Sequence, residues 1–156
     1  MIRFDSILSP GRALVGAPGV SKKRVLEQIA RVIAQDAPDL DAQTIFESLI
    51  AREKLGSTGF GNGIAIPHCR ITGCSQPLSA VLRLETPVDF DALDGQPVDL
   101  LFVLLVPQAA TDEHLELLRQ IAGMLDDAQT TARLRAATSS EALYQEVLRA
   151  QQNLQP

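Results

Sequence analysis

Residues 52–68 read Arg52-Glu53-Lys54-Leu55-Gly56-Ser57-Thr58-Gly59-Phe60-Gly61-Asn62-Gly63-Ile64-Ala65-Ile66-Pro67-His68. A helical apolar pattern runs into Arg52 from upstream and stops there. Residues 55–63 then hold four glycines in nine positions. Each glycine adds backbone entropy and no side chain to pack, so this stretch is expected to be neither helix nor regular strand interior. Ile64-Ala65-Ile66 reads as a brief strand. Pro67 fixes its own φ and lacks an N–H, so it is expected to stop sheet pairing and leave His68 at the sheet rim. In open α/β sheets such strand ends are where ligands bind.

The flanking sequence supplies the remaining layers. Residues 4–8 read as a turn of helix and 13–15 as a short strand. Ser21 is a good N-cap, followed at helical spacing by Val25, Ile29, Val32 and Ile33, with Pro38 and Asp39 ending that helix. Asp41 caps a second helix with Ile45, Phe46, Leu49 and Ile50 on one stripe and Arg52 near its last turn. In residues 78–85, Leu78, Ala80, Leu82 and Leu84 alternate with Ser79, Val81, Arg83 and Glu85, which predicts a strand with one buried face. Residues 98–106 are nearly all aliphatic, as in a central strand covered on both sides. Thr111 is expected to cap a helix whose buried stripe is Leu115, Leu118, Ile121 and Leu125; two further helices are expected at 128–137 and 140–151. The sum is an α/β (α+β) chain, a mixed β-sheet flanked by helices on both faces. One domain is expected across 1–156, with its core at about 4–150 and a polar tail at 151–156.

Composition narrows the functional classes. The chain has 156 residues, 46% hydrophobic, with 14 Lys+Arg against 19 Asp+Glu and a net charge of −5. That balance opposes a surface devoted to nucleic acid or anionic lipid. The longest apolar run is nine residues and contains Asp99, against the ~20 that a membrane span needs, and the first ten residues lack the apolar core of a secretory signal. Cys69 and Cys74 are expected to be free thiols in a reducing cytoplasm.

Both histidines stand at element ends: His68 beside the glycine-rich loop, and His114 three residues after Thr111, in a first helical turn where free N–H groups and the helix dipole favour anions. A single histidine is more often structural or merely exposed. Loop, Pro-His and second histidine together point to an anion- or phosphate-handling site. Other motifs fit less well. A dinucleotide fingerprint starting at Gly59 would need glycine at position 64, where Ile64 stands, and there is no Gly-Lys-Ser/Thr phosphate loop. Ser57 lies outside any Gly-x-Ser-x-Gly elbow. Cys69 and Cys74 beside His68 hint at zinc, but the partner pair that such sites use is missing. No cofactor and no metal are expected.

The 52–68 string resembles the active-site signature of the fructose/mannitol-type enzyme IIA domains of the bacterial phosphoenolpyruvate-dependent phosphotransferase system. The likeness extends to Thr111-Asp112-Glu113-His114-Leu115, where that family carries its second active-site histidine, and covers the chain from Phe4 to the last helix. It implies the phosphotransferase/anion transport-like enzyme IIA fold and a phosphohistidine intermediate. His68 would accept the phosphoryl group, through Nε2, with Arg52 and His114 lining its pocket. The chemistry suits these residues: neutral imidazole is a nucleophile near pH 7, and a guanidinium offers a fixed fork of donors to the transferring oxygens. Ser57 and Thr58 are lesser candidate donors, and the pocket is expected to be ringed by Phe60, Leu55 and glycines.

Within the family, the opening Ile2-Arg3-Phe4-Asp5-Ser6-Ile7-Leu8 and Val20-Ser21-Lys22-Lys23-Arg24 look like the nitrogen-regulatory subgroup. The resemblance then implies a cytoplasmic phosphocarrier charged by a small histidine phosphocarrier protein. It would regulate target proteins by its phosphorylation state, without nucleic-acid binding or membrane insertion. The alternative in the family is a sugar-specific enzyme IIA passing phosphate to a fructose/mannitol enzyme IIB. Outside it stand a binding module without the chemistry and a metal-dependent hydrolase using His68, His114 and Cys69.

Overall fold

The computed structural model of the chain describes residues 2–109 and 112–154. Two short 3-10 turns, Phe4–Ser6 and Pro10–Arg12, lead into β1 (Ala13–Ala17). Helices α1 (Lys22–Asp36) and α2 (Ala42–Leu55) follow. Ser21 Oγ accepts from the Arg24 N–H at 3.2 Å, and Asp41 Oδ2 accepts from the Thr44 N–H at 3.0 Å, so both helices begin on the side-chain caps expected of them. Next come β2 (Gly59–Gly61), β3 (Ile64–Ala65), β4 (His68–Ile71), β5 (Leu78–Val88) and β6 (Val98–Pro107). Three helices end the fold: α3 (Asp112–Leu125), α4 (Ala128–Ala136) and α5 (Ser140–Leu154). Thr111, expected to cap α3, lies outside the described residues. Residues 151–154, expected as tail, continue α5. Gln151 is buried there, accepting from Phe4 N–H at 2.7 Å and donating to Ile2 O at 2.9 Å.

The strands form one six-stranded sheet in the order β1-β5-β6-β3-β2, with β4 also paired to β6. β5 and β6 are antiparallel, whereas β1 on β5, and β3 and β4 on β6, are parallel. Side chains of β6 alternate between two cores. Leu101, Val103 and Leu105 pack with α1 and α2; Leu100, Phe102 and Leu104 pack with α3, α4 and α5. Helices therefore cover both faces, and six residues from 100 to 105 are each at most 2% exposed.

Three expectations about the strands need correction. The glycine-rich stretch does contain strand: β2 and β3 form a hairpin closed by Asn62 (φ 59°) and Gly63 (φ 79°), the two positive-φ positions that an Asn-Gly turn supplies. Pro67 does not end pairing on β6. It offers its carbonyl to the Leu104 N–H at 2.9 Å, and the same edge resumes as β4 at His68. A proline costs a strand only its own N–H, and an edge position does not use it. Finally, β5 is not half-exposed: Ser79, Ala80, Val81 and Leu82 are all fully buried, because the second helical layer covers the face that alternation assigned to solvent.

Candidate functional site

α2 ends at Leu55, and Arg52 sits in its last turn with Nη1 donating to Gly56 O at 2.9 Å. That bond satisfies a carbonyl just beyond the helix end and fixes one arm of the guanidinium. His68 opens β4 opposite Leu104 on β6. His114 is the third residue of α3. These elements border an open cleft of about 660 Å³, and all three expected site residues line it. The cleft also receives Arg70, two residues along β4 from His68, with Leu55 and Leu115 on its walls. Leu55 is 85% exposed and Leu115 54%, so the rim presents apolar surface to whatever approaches.

The imidazole of His68 is oriented by the short link that joins β3 to β4. Its Nδ1 lies 2.7 Å from Ile66 O. A carbonyl only accepts, so the proton resides on Nδ1 and the Nε2 lone pair is the one left for chemistry. Burial, together with the positive charge of Arg52, pulls the His68 pKa below its usual value; the bond to Ile66 O and the charge of Glu53 oppose this without reversing it. The ring is accordingly neutral at pH 7. Two guanidinium groups, Arg52 and Arg70, share the cleft with one carboxylate, Asp112. Asp112 and Glu113 place acids in the first turn of α3, where the helix dipole favours them.

The lesser candidates are engaged elsewhere. Ser57 Oγ donates to Phe90 O at 2.5 Å and accepts from the Gly59 N–H at 3.0 Å. Thr58 Oγ1 donates to the Glu53 carboxylate. Phe60 and the glycines 56, 59, 61 and 63 are not among the cleft residues. The Asn62 N–H is taken by Asp94 Oδ2 at 2.9 Å. The glycine-rich segment is thus tied up in the β2–β3 hairpin and its neighbours, outside the cleft lining. Burial pushes the Cys69 thiol up to about 12, far from a ready thiolate. Among the described residues no group of three or more His, Cys, Asp or Glu is arranged to hold a metal ion. Nor, among them, is any helix long and apolar enough to cross a membrane.

Two polar residues escaped the sequence reading. Arg70 looks like an ordinary strand charge until β4 is known to continue past Pro67, which puts positions 68 and 70 on one face. Glu53 looks like a surface acid at a helix end, yet it is 8% exposed and paired with Lys22 Nζ at 2.8 Å.

Comparison with known proteins agrees with this architecture. The family model described as the phosphoenolpyruvate-dependent sugar phosphotransferase system, EIIA 2, matches residues 6–150. The nitrogen regulatory protein of Pseudomonas aeruginosa is 72% identical over 148 residues, covering 95% of this chain and 96% of that one. The nitrogen regulatory protein of Escherichia coli K12 is 50% identical over 126 residues, 80% of this chain and 77% of its own. The crystal structure of nitrogen regulatory protein IIA-Ntr from Neisseria meningitidis superposes with a TM-score of 0.86 at 40% identity, covering 92% of this chain and 98% of that one. Signature, cleft and relatives converge: the chain belongs to the phosphoenolpyruvate-dependent sugar phosphotransferase system EIIA 2 family, in its nitrogen-regulatory subgroup.

Proposed function

We propose that this phosphotransferase-system component is a phosphocarrier that accepts a phosphoryl group on Nε2 of His68 and controls partner proteins by its phosphorylation state. The observation that carries the reading is the orientation of His68: Nδ1 is bonded to Ile66 O, and the ring borders a cleft that also holds Arg52 and His114. The donor is a phosphohistidine on a small carrier protein of the nitrogen branch. In the transfer, Nε2 attacks phosphorus as the bond from phosphorus to the donor's ring nitrogen breaks, so the phosphoryl group changes hands and the electron pair returns to the donor. Charge spreads over three equatorial oxygens, and positioning with electrostatics is the main catalytic tool available. Arg52 supplies the fixed fork of donors, and His114 contributes from the α3 N-terminus. No cofactor is needed for this step.

Phosphorylation adds roughly −1.5 to −2 charge, taking the hydroxyl-ester value as a guide. Placed between the apolar rim residues Leu55 and Leu115, that charge weakens docking of a partner that binds through apolar or acidic contacts. The output is thus a change of surface charge within an unchanged fold, acting in the cytoplasm. The test is incubation with phosphoenolpyruvate, enzyme I and two carriers side by side, one from the nitrogen branch and one from the sugar branch. Label on the wild type, none on His68→Ala and faster charging by the nitrogen carrier are expected. Faster charging by the sugar carrier, with onward transfer to a fructose/mannitol enzyme IIB, would instead assign the chain to sugar transport.

A further inference from the structure

We infer that Glu53 is a positioning residue for His68, acting through Thr58 and Ile66; its consequence for transfer rests on the function proposed above. The Glu53 side chain is 5% exposed. A carboxylate buried that deeply is costly unless charge and hydrogen bonds compensate it. Lys22 Nζ, from the first residue of α1, pairs with it at 2.8 Å. Both donors of Thr58 converge on it as well, the N–H at 3.3 Å and the hydroxyl through a short bond.

From Thr58 the connections run directly to the reactive ring. Thr58 O accepts from the Ile66 N–H at 3.0 Å, closing the base of the β2–β3 hairpin. Ile66 O in turn accepts from His68 Nδ1–H. A residue that holds Thr58 therefore fixes the N–H side of Ile66, and the carbonyl on the other side of the same Cα sets the tautomer and tilt of the imidazole. The corner at 57–58 is anchored from the other side through Phe90. Ser57 Oγ donates to Phe90 O at 2.5 Å, Lys22 Nζ donates to the same oxygen at 3.3 Å, and the Lys22 ammonium stands 4.8 Å from the Phe90 ring centroid.

The placement of Glu53 beside Arg52 gives this arrangement a purpose. Consecutive residues on a helix point about 100° apart, so one turn of α2 sends Arg52 into the cleft and Glu53 into the interior. The end of one helix thus fixes both the group that receives the phosphoryl oxygens and, through three bonds, the ring that attacks phosphorus. Any shift of α2 moves the two together, which preserves their alignment.

The test reads the His68 ring directly by two-bond 1H–15N correlation at neutral pH, with no phosphodonor present. Wild type is expected to show predominantly the Nδ1–H tautomer. Thr58→Val, which removes the hydroxyl at constant shape, is expected to give a mixture of the two tautomers and to slow phosphorylation about ten-fold, as expected when an imidazole loses a partner that orients it indirectly. Thr58→Ser should restore both readouts. Glu53→Gln repeats the test from the other side of the bond. An unchanged tautomer in either folded variant overturns the inference, and so does a wild-type ring that already populates both tautomers evenly. If the tautomers respond as expected but wild type takes no phosphoryl group, the proposed function fails and the positioning role of Glu53 stands.

Discussion

His68 Nδ1 and the carbonyl oxygen of Ile66, two residues earlier in the link between β3 and β4, are 2.7 Å apart. The bond spans Pro67, whose fixed φ and missing N–H let the chain turn its preceding carbonyl toward the histidine without giving up a ladder bond at that position. Here the orienting acceptor is local, so the tautomer is set as soon as β3 and β4 are laid along β6.

The pH dependence follows from the surroundings of that ring. Arg52 and Glu53 act on it from α2, Arg70 stands on the same strand, and Asp112 and His114 line the cleft from α3. Burial and Arg52 hold the His68 pKa below 6.5. The unfolded chain binds more protons than the folded one between the lowered folded pKa and 6.5, so the contribution of His68 to stability is fully present above 6.5 and is lost as pH falls from there through the folded pKa. The acid limb of phosphorylation is likewise expected below pH 6.5, and in Arg52→Gln it moves up. A histidine titration by NMR checks both, and a His68 midpoint at or above 6.5 in the wild type would contradict the account.

Arg52→Lys keeps a positive charge and discards the fork. The rate of phosphoryl acceptance is expected to fall by about 10²-fold, the usual loss when one preorganised donor to a developing charge is removed. Arg52 is half-buried at a helix end, so the melting temperature should stay close to that of the wild type. Single-turnover labelling alongside thermal unfolding separates the two effects.

The hairpin behind the site is clamped at its turn. Arg135 Nη2 donates to Asn62 O at 2.7 Å and to Asp99 Oδ1 at 2.9 Å, while Asp94 holds the Asn62 N–H. A Cβ on Gly63 would lie 2.7 Å from Arg135 Nη2 and 3.0 Å from Asp99 Oδ1, on a backbone with φ +79°. Gly63→Ala is therefore expected to cost about 1–3 kcal/mol in urea unfolding, combining left-handed strain with displacement of the ion pair.

Helix α3 gives a sharper test of the packing. Leu117 is 1% exposed, whereas Leu115 is 54% exposed on the cleft rim. Leu117→Ala should destabilise by about 2–5 kcal/mol and Leu115→Ala by no more than about 0.5 kcal/mol. Reduced partner binding by the folded Leu115 variant would mark the rim as contact surface.

That contrast also shows where sequence reading reached its limit. The caps Ser21 and Asp41 were legible because a cap is a local bargain between one side chain and one N–H three residues on. The aliphatic run around Phe102 was legible because a strand buried on both faces has no polar alternation to hide. The stripe expected on α3 holds in its second half and fails in its first. Ile121 and Leu125 are buried as expected, but Leu117 and Met124 complete the face, while Leu115 turns to the cleft and Leu118 is only partly covered. Leucine at positions 115, 117 and 118 fits either phase, and only the tertiary partner decides. Asn62-Gly63 did carry a hairpin signal, but the surrounding glycines masked it. His68, Arg52 and His114 were reached through the resemblance of a long motif, and the structure brings all three to one cleft. Glu53 was out of reach because its burial depends on Lys22, thirty-one positions away, which nothing in the local pattern announces.

The central claim is that Nε2 of His68 is the atom that receives the phosphoryl group. The direct measurement is phosphorus-coupled NMR of the phosphorylated protein with 15N-labelled histidine. A single phosphoramidate, coupled to Nε2 of His68 and absent from His68→Ala, is the predicted result. Phosphorus on Nδ1 of His68, on His114, or on the His68→Ala protein at the wild-type level would contradict it.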